Sequence, residues 1–427
     1  MPIFALTDCN NFFVSCERVF NPKLRGKPVI VLSNNDGCAI ARSEEAKALG
    51  IKMGVPVFEI RDLIRTHDVQ VFSSNFALYA DMSRRVMTTL SQFAPDIEIY
   101  SIDEAFIDLS SHSSSSFGNT DLTEYGRMIR AAVIQQVGIP VSVGIAETKT
   151  LAKIANRIAK KSQKANGVLN LTGSPYIEVA LERTEVGDVW GIGRKYAKFL
   201  KAYGINNALQ LRNADDGFIR AKMGIVGIRL VEELRGNACY TLDDSPESKK
   251  SIRVSRSFKR AIENPDDLHE AVASFAASAA AKLRKQKSVA GMMSVFIMTN
   301  RFDKERFYTN SEAVRLLPPT NNTPEMIRYA HQALENIFRN GMGFKRAGVL
   351  LYDLSSDDMV QTGLFDCRDR KKSERLMSAI DSINERIGDG VLKFAAEGIK
   401  AKPVWKTVFD RKSPAYTTDW GQLPVVR

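Results

Sequence analysis

The dipeptide Asp103-Glu104 lies inside an apolar, strand-forming run from Ile97 to Leu109 (IEIYSIDEAFIDL), where two adjacent carboxylates need compensation. A third acid, Asp8, closes a second apolar run that begins at Ile3. If the two runs pair as neighbouring strands, three carboxylates converge on one point, repel one another and raise one another's pKa values. Two Mg2+ ions, held by a few carboxylates plus substrate phosphates, relieve that repulsion and serve in-line phosphoryl displacement. The pattern points to nucleotidyl transfer.

Successive residues of a regular strand face opposite sides, so Asp103 and Glu104 share one site only if the chain turns near Ser101-Ile102. A hairpin is expected there. The competing reading leaves Asp103 at the end of a loop and Glu104 as a solvated strand residue.

At 427 residues the chain exceeds what one core normally serves, so several domains are expected. Its formal charge of +11 is unevenly spread: residues 1–110 carry −3 and residues 111–427 carry +14. An acidic site and a basic grip thus occupy separate segments, which favours a polyanionic partner over charge kept only for solubility. The five cysteines are scattered, with no Cys-x-x-Cys, and the four histidines show no zinc spacing. These features predict a reducing, cytoplasmic setting and an oxygen-ligated metal. No apolar run approaches the ~20 residues of a membrane span.

Along residues 1–110 short β-type runs alternate with helical ones, an α/β pattern. Strand 141–145 then feeds a helix with Leu151, Ile154, Ala155 and Ile158 inward, and with Lys149, Lys153, Arg157, Lys160 and Lys164 as a basic stripe pointing away from the core. Such a stripe suits either triphosphate or plain solvation. Residues 186–235 read as helical around Trp190-Gly191-Ile192-Gly193-Arg194-Lys195. A Gly-x-Gly turn before a helix start presents N-H groups to DNA phosphates without reading bases, or simply joins two helices. Gly191, Gly193, Arg194 and Lys195 are its candidate DNA contacts, and Gly224-Ile225-Val226-Gly227 is a looser second copy.

The polar stretch Asp243 to Lys250 reads as a linker. Beyond it the pattern is strand 252–258, helix 266–287, strand 292–299, strand 307–317, helix 324–340 and strand 347–354, a β-α-β-β-α-β unit. Leu268, Val272, Phe275, Ala279 and Leu283 make its buried helix stripe, while Arg253 and Arg256 on the first strand are candidates to follow a DNA backbone. After Leu354 the chain turns polar, with one amphipathic helix carrying Leu376, Ile380, Ile383 and Ile387. A partner-docking tail is expected, with end-of-domain packing the competitor.

With Leu6 to Phe13, Leu32 to Cys38, Glu45 to Gly50, Tyr100 to Phe106 and the 144–160 stretch together, the chain resembles the Y-family translesion DNA polymerases of UmuC type. The resemblance implies a multidomain α/β and α+β right hand: palm (1–24 and 81–168), fingers (25–80), helical helix-hairpin-helix thumb (169–240), linker (241–251), little finger (252–354) and a partner-binding tail (355–427). It implies template-directed, error-prone synthesis past lesions in a bacterial SOS response, with low fidelity and in the cytoplasm, on the nucleoid when active. Asp8, Asp103 and Glu104, with the backbone carbonyl of Cys9, would hold two Mg2+ ions. Asn11, Phe12, Phe13, Lys47 and Lys160 would hold the incoming dNTP, with Phe13 as a steric gate against a ribonucleotide's 2'-hydroxyl. Without the resemblance Phe13 would read as a core aromatic beside Phe12. Many relatives carry Tyr where this chain has Glu44, so that triphosphate contact departs from the pattern. Gln361-Thr362-Gly363-Leu364-Phe365 is similar to a sliding-clamp peptide, with Gln361, Leu364 and Phe365 as anchors. Besides primer-template DNA, a UmuD-type dimer and a RecA filament are implied partners.

A non-catalytic DNA-binding scaffold of a repair complex would keep the basic modules but has no use for the three acids. A nucleotide cyclase would keep the acids but needs neither the hairpin turn nor the little finger.

Overall fold

The computed structural model describes residues 2–113, 121–243, 248–359, 369–388, 390–400 and 403–423. The first apolar run forms β1 (Phe4–Cys9), followed by α1 (Phe12–Phe20), β2 (Val29–Leu32), β3 (Ala39–Arg42), α2 (Glu44–Ala48), α3 (Arg61–Thr66) and β4 (Gln70–Ser73). Next come α4 (Phe76–Leu90), β5 (Ile97–Ile99), β6 (Glu104–Asp108), α5 (Leu122–Val137), β7 (Val141–Ala146), α6 (Lys149–Lys161) and β8 (Val168–Asn170). The expected turn at Ser101-Ile102 is present: β5 and β6 pair antiparallel across it.

A five-stranded sheet runs in the order β5-β6-β1-β7-β8, with β1 at its centre and antiparallel to both neighbours. Strand alternation divides its side chains between two cores. Ala5 and Cys9 join Val14, Met82 and Ile129 under α1, α4 and α5. Phe4, Leu6 and Phe106 join Leu151, Ile154 and Ala155 of α6 on the other face. Asp8 continues the Phe4, Leu6 series, and Glu104 the series of Phe106, so both acids stand on the α6 side.

Helix α6 lies unusually near the sheet. A Cβ at Gly144 of β7 would fall 2.1 Å from the backbone nitrogen of Asn156 and 2.4 Å from the carbonyl oxygen of Ala152, so only glycine allows this approach. The buried Asn156 side chain fixes the seating by donating to the carbonyls of Leu6 and Ser142, at 3.2 and 2.7 Å.

A smaller sheet, β3-β2-β4, has β2 antiparallel to β3 and parallel to β4. Beyond β8 the chain is helical, through α7 (Ile177–Glu182), α8 (Arg194–Ala202), α9 (Ala208–Arg212) and α10 (Asp216–Leu234). At Gly224, φ +69° interrupts α10, so the second glycine pair breaks the helix there.

The remaining elements are β9 (Ile252–Ile262), α11 (Pro265–Lys285), β10 (Ser288–Met298), β11 (Thr309–Thr320), α12 (Thr323–Ile337), β12 (Phe344–Ser356) and α13 (Arg370–Ile387). The sheet order is β11-β10-β12-β9, the β-α-β-β-α-β unit read from the sequence. All five stripe residues of α11 are buried against it.

The chain forms two compact units, one of residues 1–33, 37–246 and 411–427, the other of residues 34–36 and 247–410. The described parts of the tail are packed into these units, as in the end-of-domain alternative. Within the second unit α13 buries Met377, Arg284 of α11 makes a two-pronged ion pair with Asp381 at 2.6 and 2.7 Å, and Trp405 packs edge-on against Phe275. Leu376, Ile383 and Ile387 remain exposed, so the apolar stripe expected on α13 is not what seats it. Among the described residues no helix is long and apolar enough to cross a membrane.

Candidate active site

Asp8 and Glu104 are directly opposed in the β1-β6 ladder. Like charges in that register repel, and each finds a cation on α6: Lys160 pairs with Asp8, and Lys153 with Glu104 at 3.0 Å. Burial pushes the Asp8 carboxyl up to about 7, with Lys160 pulling it back and Glu104 adding to the rise. Asp103 sits at the turn. Its backbone carbonyl accepts from the Cys9 N-H at 2.8 Å, and its carboxylate accepts from the Ser101 hydroxyl at 2.6 Å.

Asp8 and Glu104 face one another across the ladder, and the Asp103 carboxylate one residue away is oriented by the Ser101 hydroxyl. Among the described residues no three Asp, Glu, His or Cys side chains are arranged as a metal cage. The Cys9 side chain is buried and its thiol is pushed up by that burial, so only the main chain of Cys9 is left for a ligand.

The basic stripe also needs correction. It does not point away from the core as a whole: Lys149 is buried, pairing with Glu98 at 2.5 Å and donating to the Thr241 carbonyl at 2.7 Å. Lys153 sits in an aromatic box, 4.3 Å from the Tyr100 ring centre and 5.6 Å from that of Trp190, which itself donates to the Tyr100 hydroxyl. Lys164 lies past the end of α6.

At the start of α1 Asn11 takes a left-handed conformation (φ +48°), leaving the helix N-terminus without a side-chain cap. Lys47 donates to Asn11 Oδ1 and to Glu44 Oε1, both at 2.7 Å, and Asn11 Nδ2 donates to the same Glu44 oxygen at 3.0 Å. Glu44 therefore holds Lys47 in place. The Phe12 ring is buried in the core, so its side chain is consumed by packing and only its backbone remains available. Phe13 is half-buried and stacks on Tyr79, with ring centres 4.5 Å apart and planes 13° apart.

The Gly-x-Gly turn is built as expected. Gly191 adopts φ +89°, Ile192 is buried as an anchor, and Gly193 precedes the first turn of α8, where Arg194 and Lys195 are exposed. In the second unit Arg253 and Arg256 are both exposed on β9; the Arg253 guanidinium lies 4.5 Å from the Phe296 ring centre. Arg253 lines a cleft with Lys249, Lys282 and Lys285. Burial, then Arg256 and Lys249, push the Lys282 ammonium below its usual value. The clamp-like peptide Gln361 to Phe365, with its anchors Leu364 and Phe365, lies outside the described residues.

Sequence reasoning missed Asn156, Tyr79 and Lys282. Asn156 carried a signal, as a polar residue among Ala152, Ala155 and Ala159 on an otherwise apolar helix face. Tyr79 carried none, since its partners are distant in sequence.

The model of the impB/mucB/samB family matches residues 7–157, and that of the family's C-terminal domain matches 249–364. A domain of unknown function matches 374–426. Protein UmuC of Salmonella typhimurium is 44% identical, with 99% of each chain covered, and Protein ImpB of Salmonella typhimurium is 42% identical over the whole of both. A DNA polymerase IV from Desulfatibacillum aliphaticivorans is 29% identical over 91% of this chain and 95% of its own. Among solved structures, a Y-family DNA polymerase chimera of Dbh and Dpo4 shares the fold, with a TM-score of 0.66 at 22% identity over 83% of this chain and 99% of that one. An insertion ternary complex of Dbh DNA polymerase gives 0.54 at 21% identity, with 83% of this chain and 99% of that chain covered. The mixed α/β fold agrees with these matches, and the chain belongs to the impB/mucB/samB family, the UmuC-type Y-family DNA polymerases.

Proposed function

We propose that this DNA polymerase performs translesion synthesis from a centre made of Asp8, Asp103 and Glu104. The observation that carries the reading is the direct opposition of Asp8 and Glu104 on the α6 face of the sheet, with Asp103 one residue away. A divalent cation suits this donor set: every side-chain ligand is a carboxylate, and the raised Asp8 carboxyl marks negative charge held at a cost. Asp8, Asp103 and Glu104 with the Cys9 carbonyl would hold two Mg2+ ions. When bound, they supply Lewis-acid charge to the primer 3'-oxygen and the triphosphate.

The chain's own residues position the substrates. The uncapped start of α1 offers free N-H groups of the Phe12 turn to phosphate, and Lys47, held by Glu44 and Asn11, supplies charge beside it. Lys160, which pairs with Asp8 in the free chain, would supply a point charge to the triphosphate. Phe13 fills the space of a 2'-hydroxyl, a shape test on the incoming sugar. On the DNA side the Gly191 turn, Arg194 and Lys195 hold backbone phosphates, and Arg253 and Arg256 do so from the little finger, without base readout. The clamp through 361–365, a UmuD-type dimer and a RecA filament complete the proposed SOS assembly.

Primer extension across an abasic template with Mg2+ tests the proposal. Asp103→Ala and Glu104→Ala are expected to abolish extension while DNA affinity changes less than twofold. Extension surviving both changes would show that the centre lies elsewhere, and DNA binding without any extension by the unsubstituted chain would favour the scaffold reading.

A further inference from the structure

The ring that stacks on Phe13 is itself tied to the end of the chain. Tyr79 is fully buried, and its hydroxyl donates at 2.7 Å to Glu17 Oε1. Glu17 lies one helical turn after Phe13 on α1, so Tyr79 grips α1 twice, by its face at residue 13 and by its hydroxyl at residue 17. Glu17 is 1% exposed. Its second hydroxyl donor is Ser413, whose Oγ reaches the same Oε1 at 3.1 Å.

Ser413 is held in turn by α4. Asn75, the N-cap of that helix, donates from Nδ2 to Ser413 Oγ at 2.9 Å, and to the carbonyls of Ser413 and Pro414 at 3.2 Å. Main-chain bonding extends the attachment: the Ser73 N-H donates to the Arg411 carbonyl at 3.0 Å, and the Arg411 N-H to Ser73 Oγ at 2.8 Å. At the far end Tyr416 stacks on Phe20 of α1, 4.8 Å between ring centres with planes 7° apart.

One serine near the C-terminus therefore joins Glu17 of α1 to Asn75 of α4, the two helices that carry Phe13 and Tyr79. Buried polar groups that lose a partner either admit water or pull their helices into a new spacing.

We infer that the 411–416 segment is a positioning element for sugar discrimination, acting through Ser413, Glu17 and Tyr79 on the Phe13 ring. The inference rests on the reading of Phe13 as the steric gate. It gives the C-terminal segment a role in substrate choice, and any event that lifts the segment from α1 and α4 relaxes the gate.

The test is the ratio of kcat/KM for dCTP over CTP opposite template dG, in the assembly in which the unsubstituted chain extends primers. The ratio does not depend on the fraction of enzyme that is active, so a partly folded variant still reports. Ser413→Ala and Tyr79→Phe are each expected to lower it roughly 3- to 10-fold, the effect of one lost hydrogen bond to a buried carboxylate. Their combination falls short of the product of the two, because both act on one Glu17 oxygen, and Ser413→Thr, which keeps the hydroxyl, retains the original ratio. If Phe13→Ala lowers the ratio while Ser413→Ala and Tyr79→Phe leave it unchanged, the positioning role is overturned and the gate stands. If Phe13→Ala leaves the ratio unchanged, the gate reading falls and this inference with it.

Discussion

Asp8 is asked to stay charged where burial and a facing carboxylate both favour its protonated form, and Lys160 is the group that resists them. In the proposed reading a lysine so placed has two anionic partners to choose from, the carboxylate and an incoming triphosphate. Lys160→Ala is expected to lower kcat/KM for dNTP about 10- to 100-fold, the range for a charged hydrogen bond, with DNA affinity little changed; steady-state single-nucleotide insertion reads this. Phe13→Ala is expected to raise ribonucleotide insertion, seen as alkali-labile product, while deoxynucleotide insertion persists. Residue identity was legible at these positions because acids in an apolar run stand out. What was not legible was the orientation of each side chain: Phe12 and Phe13 are adjacent aromatics, and only helix phase against the sheet decides that one is buried in the core and the other half-buried against Tyr79. Lys149 was misread for a related reason, since its partner Glu98 lies across the fold on β5.

At the scale of elements, α6 and β7 act as one piece. Gly144 lets them meet at backbone distance, and the helix carries Lys153 and Lys160 to the two acids. Gly144→Ala must displace α6, since the new methyl would meet backbone and not a flexible side chain. A loss of stability at or above the ~1–3 kcal/mol typical of overpacking is expected, measured by urea denaturation, together with a fall in primer extension. Unchanged stability and activity would mean that α6 is not held by this contact. The β1 and β6 strands and the β-α-β-β-α-β order were readable from periodicity, because a period of two and a period of 3.6 leave distinct patterns, whereas the pairing of β1 with β6 was only a condition of the three-acid reading. The seating of α13 was not readable, because among the described residues it rests on Met377, the Arg284–Asp381 ion pair and a hydrogen bond from Asn322 to Ser373, while Leu376, Ile383 and Ile387 stay exposed.

For the whole molecule, charge is distributed by task, with the acids early in the chain and a net +14 after residue 110. Binding to primer-template DNA is expected to weaken steeply with salt, and Arg253→Ala and Arg256→Ala to reduce the slope of log K against log salt by about one each, in equal measure on any sequence. A slope unchanged by both would remove β9 from the DNA path. The central claim is that Asp8, Asp103 and Glu104 together hold the divalent cations of nucleotidyl transfer. Electron paramagnetic resonance titration with Mn2+, on the chain bound to primer-template and a non-hydrolysable dNTP, counts those ions directly. The expected result is two bound ions in the unsubstituted chain and at least one lost in each of Asp8→Asn, Asp103→Asn and Glu104→Gln; two ions retained at undiminished affinity in all three variants would contradict it.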